Sequence, residues 1–173
     1  MGRHWLGLVL ALGAGSGVAA QQGVAIRPGR MMYVSLDTVD TPTVFPGTGA
    51  SVYRKLIEVY RALKIPISLY DSTTGKVGNI GVNLRSIDGQ RMSTWLGCGV
   101  GLTGPNADMH RVTASIISWV QPRGRDSAVV RTGVFAGVTN MAEAGSSLPR
   151  PCDTTGRLEE RIRTLLRRRL AAP

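Results

Sequence analysis

"VTASIISWVQPRGRDSAVVRTGVFAGVT", residues 112–139, decides the architecture of this chain. In its first half Val112, Ala114, Ile116, Ser118 and Val120 alternate with Thr113, Ser115, Ile117 and Trp119. That is the period of two that sends successive side chains to opposite faces of a strand. In the second half Ala128, Val130, Val134, Ala136 and Val138 share one face, while Val129, Arg131, Phe135 and Thr139 take the other. Gly133 and Gly137 also fall on that second face, where a missing side chain permits a bend or the approach of another backbone. Pro122, Gly124 and Asp126 punctuate the join, so 112–120 and 127–139 read as one long antiparallel hairpin.

Upstream, Val52, Leu56, Val59, Tyr60 and Leu63 recur at helical spacing, with Arg54, Lys55, Glu58 and Arg61 on the wet side. Thr48 or Ser51 supplies the N-cap oxygen, and Pro66 stops the helix by pushing the preceding residue out of the α region. Ile65, Ile67 and Leu69 then alternate with Ser68 and Tyr70 up to the turn Asp71–Gly75, and alternation resumes at Ile80, Val82 and Leu84. These segments form a second hairpin. Nearer the N-terminus, Met32, Val34 and Leu36 mark a further strand, and Thr41–Phe45 an edge strand bounded by Pro42 and Pro46.

Downstream, 141–151 reads as a loop. Leu158, Ile162, Leu165, Leu166 and Leu170 then form the stripe of a last helix, capped by Asp153, Thr154 or Thr155. Glu159 and Glu160 at its start and Arg167, Arg168 and Arg169 at its end suit the helix dipole. Ser86–Asp108 holds glycines at 89, 97, 99, 101 and 104 and shows no period, so it reads as a long irregular crossing with a short helical turn near 93–96. The sum is an α+β domain: a curved antiparallel sheet of four to six strands with two amphipathic helices on one face. Each helix has a single apolar stripe, so the opposite sheet face is expected to be partly wet or to cover a groove.

The N-terminus sets the compartment. A short cationic start, the apolar run Trp5–Leu12 and the small residues Val18-Ala19-Ala20 have the pattern of a signal peptide over residues 1–20, leaving 21–173 as one domain. The run falls short of the ~20 apolar residues that span a bilayer. A periplasmic or secreted protein is therefore expected, and the 43% hydrophobic content argues against disorder. With only two cysteines in an oxidising compartment, Cys98 and Cys152 are paired as a disulfide. The rival reading makes Cys98 a thiolate nucleophile with His110 as base.

Residues 97–110, "GCGVGLTGPNADMH", concentrate the types that carry chemistry. Gly99–Gly104 matches G-x-G-x-x-G, but a phosphate loop opens a helix, and a strand is the next periodic segment here. Asp108 and His110 lack a nucleophile elbow nearby. One histidine after residue 20 and two bridged cysteines cannot supply the three or four ligands zinc needs, and the carboxylates are scattered. No cofactor, no metal and no catalytic residue is expected.

Charge is the remaining signal. The chain carries 21 Lys and Arg against 11 Asp and Glu, a formal +10, which loss of Arg3 with the signal segment lowers to +9. Arg161, Arg163, Arg167 and Arg168 of the last helix are the candidate contacts to an anionic partner, set against their simply being the solvated side of a packed helix. For an exported chain that partner is an anionic lipid surface or an envelope protein; nucleic acid is not expected, because 5% aromatics give no stacking platform.

Residues 52–82, "VYRKLIEVYRALKIPISLYDSTTGKVGNIGV", resemble the opening of helix-grip domains in the accessory lipoproteins of the outer-membrane β-barrel assembly machine. Both run from an amphipathic helix into a strand, a D-x-x-x-G turn and a second strand. The resemblance covers about a fifth of the chain, reaches no catalytic residue, and departs from that family in lacking a cysteine placed for lipidation. In general plan the chain also resembles uncharacterised exported proteins of high-GC envelope-bearing bacteria. These likenesses imply a helix-grip-like sandwich and an envelope role. The expected function is a non-enzymatic envelope protein binding a protein or anionic lipid. Behind it stand a helix-grip pocket for a small apolar ligand and a hydrolase using the 97–110 loop.

Overall fold

The computed structural model describes the backbone of residues 22–27, 30–34, 41–140 and 149–172, with side chains from 41 onward in that set. The expected signal segment 1–20, Leu36 and the side chains of Met32 and Val34 lie outside the described residues, as do 141–148 of the expected loop. In chain order, β1 (Gln22–Arg27) and β2 (Arg30–Val34) form an antiparallel pair, followed by β3 (Thr43–Pro46), α1 (Gly49–Ala62), β4 (Leu69–Asp71) and β5 (Lys76–Leu84). Next come β6 (Ser86–Ile87), β7 (Gln90–Arg91), a 3₁₀ turn (Met92–Thr94), β8 (Leu96–Gly97), β9 (Val100–Gly101), β10 (Gly104–Pro105) and the one-turn α2 (Asn106–Met109). The long strands β11 (Arg111–Pro122) and β12 (Ser127–Thr139), then β13 (Arg150–Thr154) and α3 (Arg157–Ala171), complete the chain.

The fold is α+β. Seven antiparallel strands run in the order β4-β5-β11-β12-β13-β8, and β3 lies beside β12. The hairpin β11–β12 is its centre, in unbroken register from Arg111 opposite Thr139 to Pro122 opposite Ala128. On its outer edge β12 carries two neighbours end to end: β3 against Ser127–Val130 and β13 against Ala136–Val138. Seven strands exceed the expected four to six because β8 and β13 are too short, and too poor in apolar residues, to show alternation. Gly137 has the expected close approach: a Cβ there would lie 2.8 Å from Pro149 Cβ.

Both long helices pack on one sheet face and against each other. Val52, Leu56, Val59 and Tyr60 of α1 and Leu158, Ile162 and Leu166 of α3 are fully buried against Val112, Ala114, Ile116, Val120, Ala128, Val130 and Val138. Each such aliphatic contributes about 1.5–3 kcal/mol by leaving water. The Tyr60 hydroxyl, which enters this core, hydrogen-bonds Ser118 Oγ at 2.9 Å, and Ser118 bonds Thr132 Oγ1 at 2.8 Å. That chain of hydroxyls satisfies the polar atoms burial would otherwise penalise. Burial pushes the Tyr60 pKa well above the ordinary phenol value.

Local chemistry sets the helix ends. Thr48 caps α1, accepting from Ser51 N at 3.2 Å. Its C-terminus closes before Pro66 acts, through a Schellman pair: Ile65 N donates to Tyr60 O and Lys64 N to Arg61 O, with Lys64 left-handed at φ 56°. For α3 the expected side-chain cap is replaced by Gly156 at φ 75°. Thr154 instead accepts from Gly156 N and donates to Glu159 Oε1 at 2.7 Å, holding that carboxylate where α3 buries it.

The alternation of β5 changes phase midway. Ala114 faces Val82, but Ile116 faces Asn79, so β5 holds one extra residue there. This bulge puts Val77, Asn79, then Leu84 on the helix side and leaves Ile80 exposed. Asn79 takes over the broken ladder: Oδ1 accepts from Ile116 N at 3.0 Å and Nδ2 donates to Pro66 O at 3.2 Å. Gly78 sits at φ 156°, where a Cβ would meet Ile116 O at 2.0 Å.

The other sheet face is dry in part and half-exposed in part: Thr113, Val129 and Arg131 keep some contact with water. Ile117 and Trp119 are only 2% and 4% exposed and cluster with Leu69 and Phe135, so this part of the face is dry.

Candidate functional site

Residues 86–108 are ordered by many small devices, which corrects the expected irregular crossing. β6–β7 and β9–β10 are two-residue ladders, too short to leave a period, and the helical turn sits at Met92–Thr94. Cys98 is bonded to Cys152, 54 residues on, as paired from the cysteine count. The bridge ties the edge strand β8 to β13, whose Asp153 and Thr154 face Gly97 and Leu96. Asn106 Nδ2 donates to Cys98 O at 3.1 Å and Asn106 N to Gly99 O at 3.0 Å, closing the β9–β10 hairpin onto its base. Asp108 accepts from Ser93 Oγ at 2.6 Å and Ser93 N at 2.9 Å.

These contacts separate the residues that a catalytic reading would join. Cys98 is a disulfide sulfur, not a thiolate, and the chain holds no free cysteine. Asp108 serves Ser93. Desolvation alone would raise its pKa, but the Ser93 hydroxyl and amide, with Arg91 nearby, hold it below the ordinary carboxylate range. G-x-G-x-x-G forms the hairpin β9–β10 and its tip rather than a phosphate loop at the start of a long helix. Among the described residues no cluster of His, Cys, Asp and Glu is placed to hold a metal.

The arginines of α3 are largely occupied within the fold. Arg161 pairs with Asp88 at 2.7 Å and Arg163 with Glu160 at 3.0 Å. Arg167 lies 3.8 Å from Glu160 and places its guanidinium 5.9 Å over the Phe45 ring. Arg169 pairs with Glu58 at 3.1 Å, joining α3 to α1. The Thr164 hydroxyl first, then Arg163 and Arg167, hold Glu160 below its ordinary pKa. Of the four candidate contacts only Arg168 is without an ion-pair partner among the described residues, so they do not form one cationic patch.

An unspent cationic surface lies instead at the sheet end where β5 finishes and β11 begins. An open depression of about 450 Å³ is lined there by Arg85, Met109, His110 and Arg111, with the Asp108 carboxylate also on its wall. Arg150, opposite Val138, opens β13 at the same end. Beside them the 97–110 loop exposes apolar groups: Val100 is 80% exposed, Leu102 fully exposed and Met109 53% exposed. Sequence reasoning weighed His110 only as a base and passed over the arginines and the exposed apolar groups. The signal for the apolar ones was present, since valine and leucine set singly between glycines have no stripe through which to be buried. The arginines are far apart in the chain, and only the strand register unites them.

A ligand pocket between helices and sheet was the other expectation. There the side chains of Leu56, Tyr60, Leu63, Ile116 and Ile162 fill the interval to zero exposure. A second open depression, of about 410 Å³, lies outside it between Arg54, Glu58 and Arg169. Among the described residues no helix is long and apolar enough to cross a membrane. Compared with known proteins, the chain matches no protein-family model and no curated protein.

Proposed function

We propose that this chain is an exported protein, periplasmic or secreted, that acts by binding an anionic surface of the cell envelope and not by catalysis. One observation carries the reading: the Cys98–Cys152 bridge. A disulfide fits an oxidising compartment, and the same bond takes away the thiol on which the hydrolase reading depended. The formal charge of +9 from Gln21 onward, and arginines at one end of the sheet that have no ion-pair partner among the described residues, supply the attraction to an anionic surface. The helix-grip likeness of residues 52–82 agrees with an envelope role. The apolar-pocket alternative has less behind it, because side chains fill the space between helices and sheet.

The test is fractionation of the producing cell followed by intact-mass measurement. The reading expects a chain beginning at Gln21 with both sulfurs oxidised, found with the envelope at low salt and released at high salt. A full-length, reduced chain in the cytosolic fraction overturns it.

A further inference from the structure

The strand directions bring together groups that the sequence keeps apart. β8 runs antiparallel to β13, so the chain leaving Gly97 travels toward Arg150. Arg150 opposes Val138, Arg111 opposes Thr139 and Val112 opposes Leu84. The hairpin β9–β10 therefore leaves the sheet at the end that carries Arg85, Arg111 and Arg150. All three arginines are exposed, and none has an ion-pair partner among the described residues. Each has an acid three residues away in sequence: Asp88 is paired with Arg161, Asp108 accepts from the Ser93 hydroxyl and amide, and Asp153 is exposed on β13.

The apolar groups at this end are equally unspent. An isolated exposed leucine needs no explanation. Here, however, Val100, Leu102 and Met109 stand on one loop held by a disulfide, by the Asn106 side chain on Cys98 O and by Asp108 on Ser93. A loop already fixed in this way loses little conformational freedom when it docks.

We propose that this pole is a membrane-docking surface. Val100, Leu102 and Met109 enter the boundary of an anionic bilayer while Arg85, Arg111 and Arg150 bind lipid phosphates. The proposal rests on the envelope-surface reading above and names its partner. Charge complementarity favours lipid: an apolar tip flanked by guanidinium groups matches an apolar interior flanked by phosphates, and the protein as a whole is strongly basic. Four of the six arginines of α3 are engaged by Asp88, Glu58, Glu160 and Phe45, leaving Arg157 and Arg168 at opposite ends of the helix, so this pole and not α3 should lead.

The experiment is co-sedimentation of the chain from Gln21 onward with vesicles of phosphatidylcholine alone, or with a third of it replaced by phosphatidylglycerol. Binding is expected on the anionic vesicles, with little on the neutral ones. Val100→Asp/Leu102→Asp should lower the partition coefficient at least about tenfold, since burying one leucine is worth that much. Arg85→Gln/Arg111→Gln should lower it about fivefold per arginine. Arg167→Gln/Arg168→Gln should leave it within about twofold. In Leu102→Trp the new indole should shift to the blue on anionic vesicles, a change the buried Trp95 and Trp119 cannot imitate. Vesicle binding that is absent, unchanged in the tip variant or lost equally in the α3 variant overturns the proposal. If the protein ignores lipid vesicles yet fractionates with the native envelope and is released by salt, the lipid pole falls while the envelope reading stands. A cytosolic, reduced chain defeats that reading itself.

Discussion

Removing the bridge is the perturbation with the largest calculable effect. Cys98 and Cys152 are 54 residues apart, and closing a loop of that length in the unfolded chain stabilises the fold by about 4 kcal/mol in the chain-entropy treatment. Little else holds this edge, because β13 pairs only Cys152, Pro151 and Arg150 with β12, and Asp153 and Thr154 with β8. A single domain has about 5–15 kcal/mol in total, so the loss is a large fraction of it. In urea, with a slope of about 2 kcal/mol/M, Cys98→Ala/Cys152→Ala should move the midpoint down by about 2 M. Emission from the buried Trp95 and Trp119 reports the transition, and Trp95 lies beside this edge, its carbonyl accepting from Thr155 Oγ1. Wild-type protein unfolded with a reductant present should reproduce the variant. A midpoint shift under about half a molar would refute the reasoning, because it would mean that the bridge constrains neither the unfolded ensemble nor the edge strand.

Asn79→Ala should cost about 2–3 kcal/mol in the same urea assay, since it strips partners from the buried Ile116 N–H and from Pro66 O; a loss below about 1 kcal/mol contradicts the bulge role. Lys64→Gly should gain about 1 kcal/mol, because Lys64 is held left-handed at the Schellman position of α1, and a lower midpoint would be evidence against that cap. The Thr74 hydroxyl first, then the Thr74 and Thr73 amides, hold Asp71 below its ordinary pKa. Because its folded pKa is depressed, its stabilising contribution is full above the unfolded value of about 3.9 and is lost as pH falls through the folded one. Carbon-detected NMR titration should place the Asp71 midpoint below about 3.9, and Thr74→Val should move it up; an ordinary midpoint in the wild type disproves the turn chemistry.

The fold was legible wherever a long segment carries a sustained side-chain period. The faces of β11 and β12 follow their alternation residue by residue, and the stripes of α1 and α3 are the buried ones. Reading failed where backbone groups, not side-chain period, determine structure. β13 is Arg-Pro-Cys-Asp-Thr, a strand only because β12 and β8 lend it partners and the bridge pins it. The bulge in β5 hid behind the alternation of Ile80, Val82 and Leu84, which is genuine in sequence, but the extra residue turns Ile80 outward and makes Asn79 the inward group. Gly156 capping α3 was likewise masked by three residues beside it that are better cap formers in general.

For the site, the same distinction separates charge counted from charge available. The arginines of α3 drew attention because they are consecutive in sequence, yet a run of like charge on a helix lying across another helix is where counter-charges gather: Asp88, Glu58 and Glu160 lie within reach and take most of them up. Arg85, Arg111 and Arg150 drew none, being separated by 26 and 39 positions, and no window along the chain holds more than one of them. Antiparallel pairing brings strand ends together irrespective of sequence distance, so a cationic surface built from strand ends cannot show in any local count. Formal charge counts arginines; the ion pairs inside the fold determine which of them remain available to an anion.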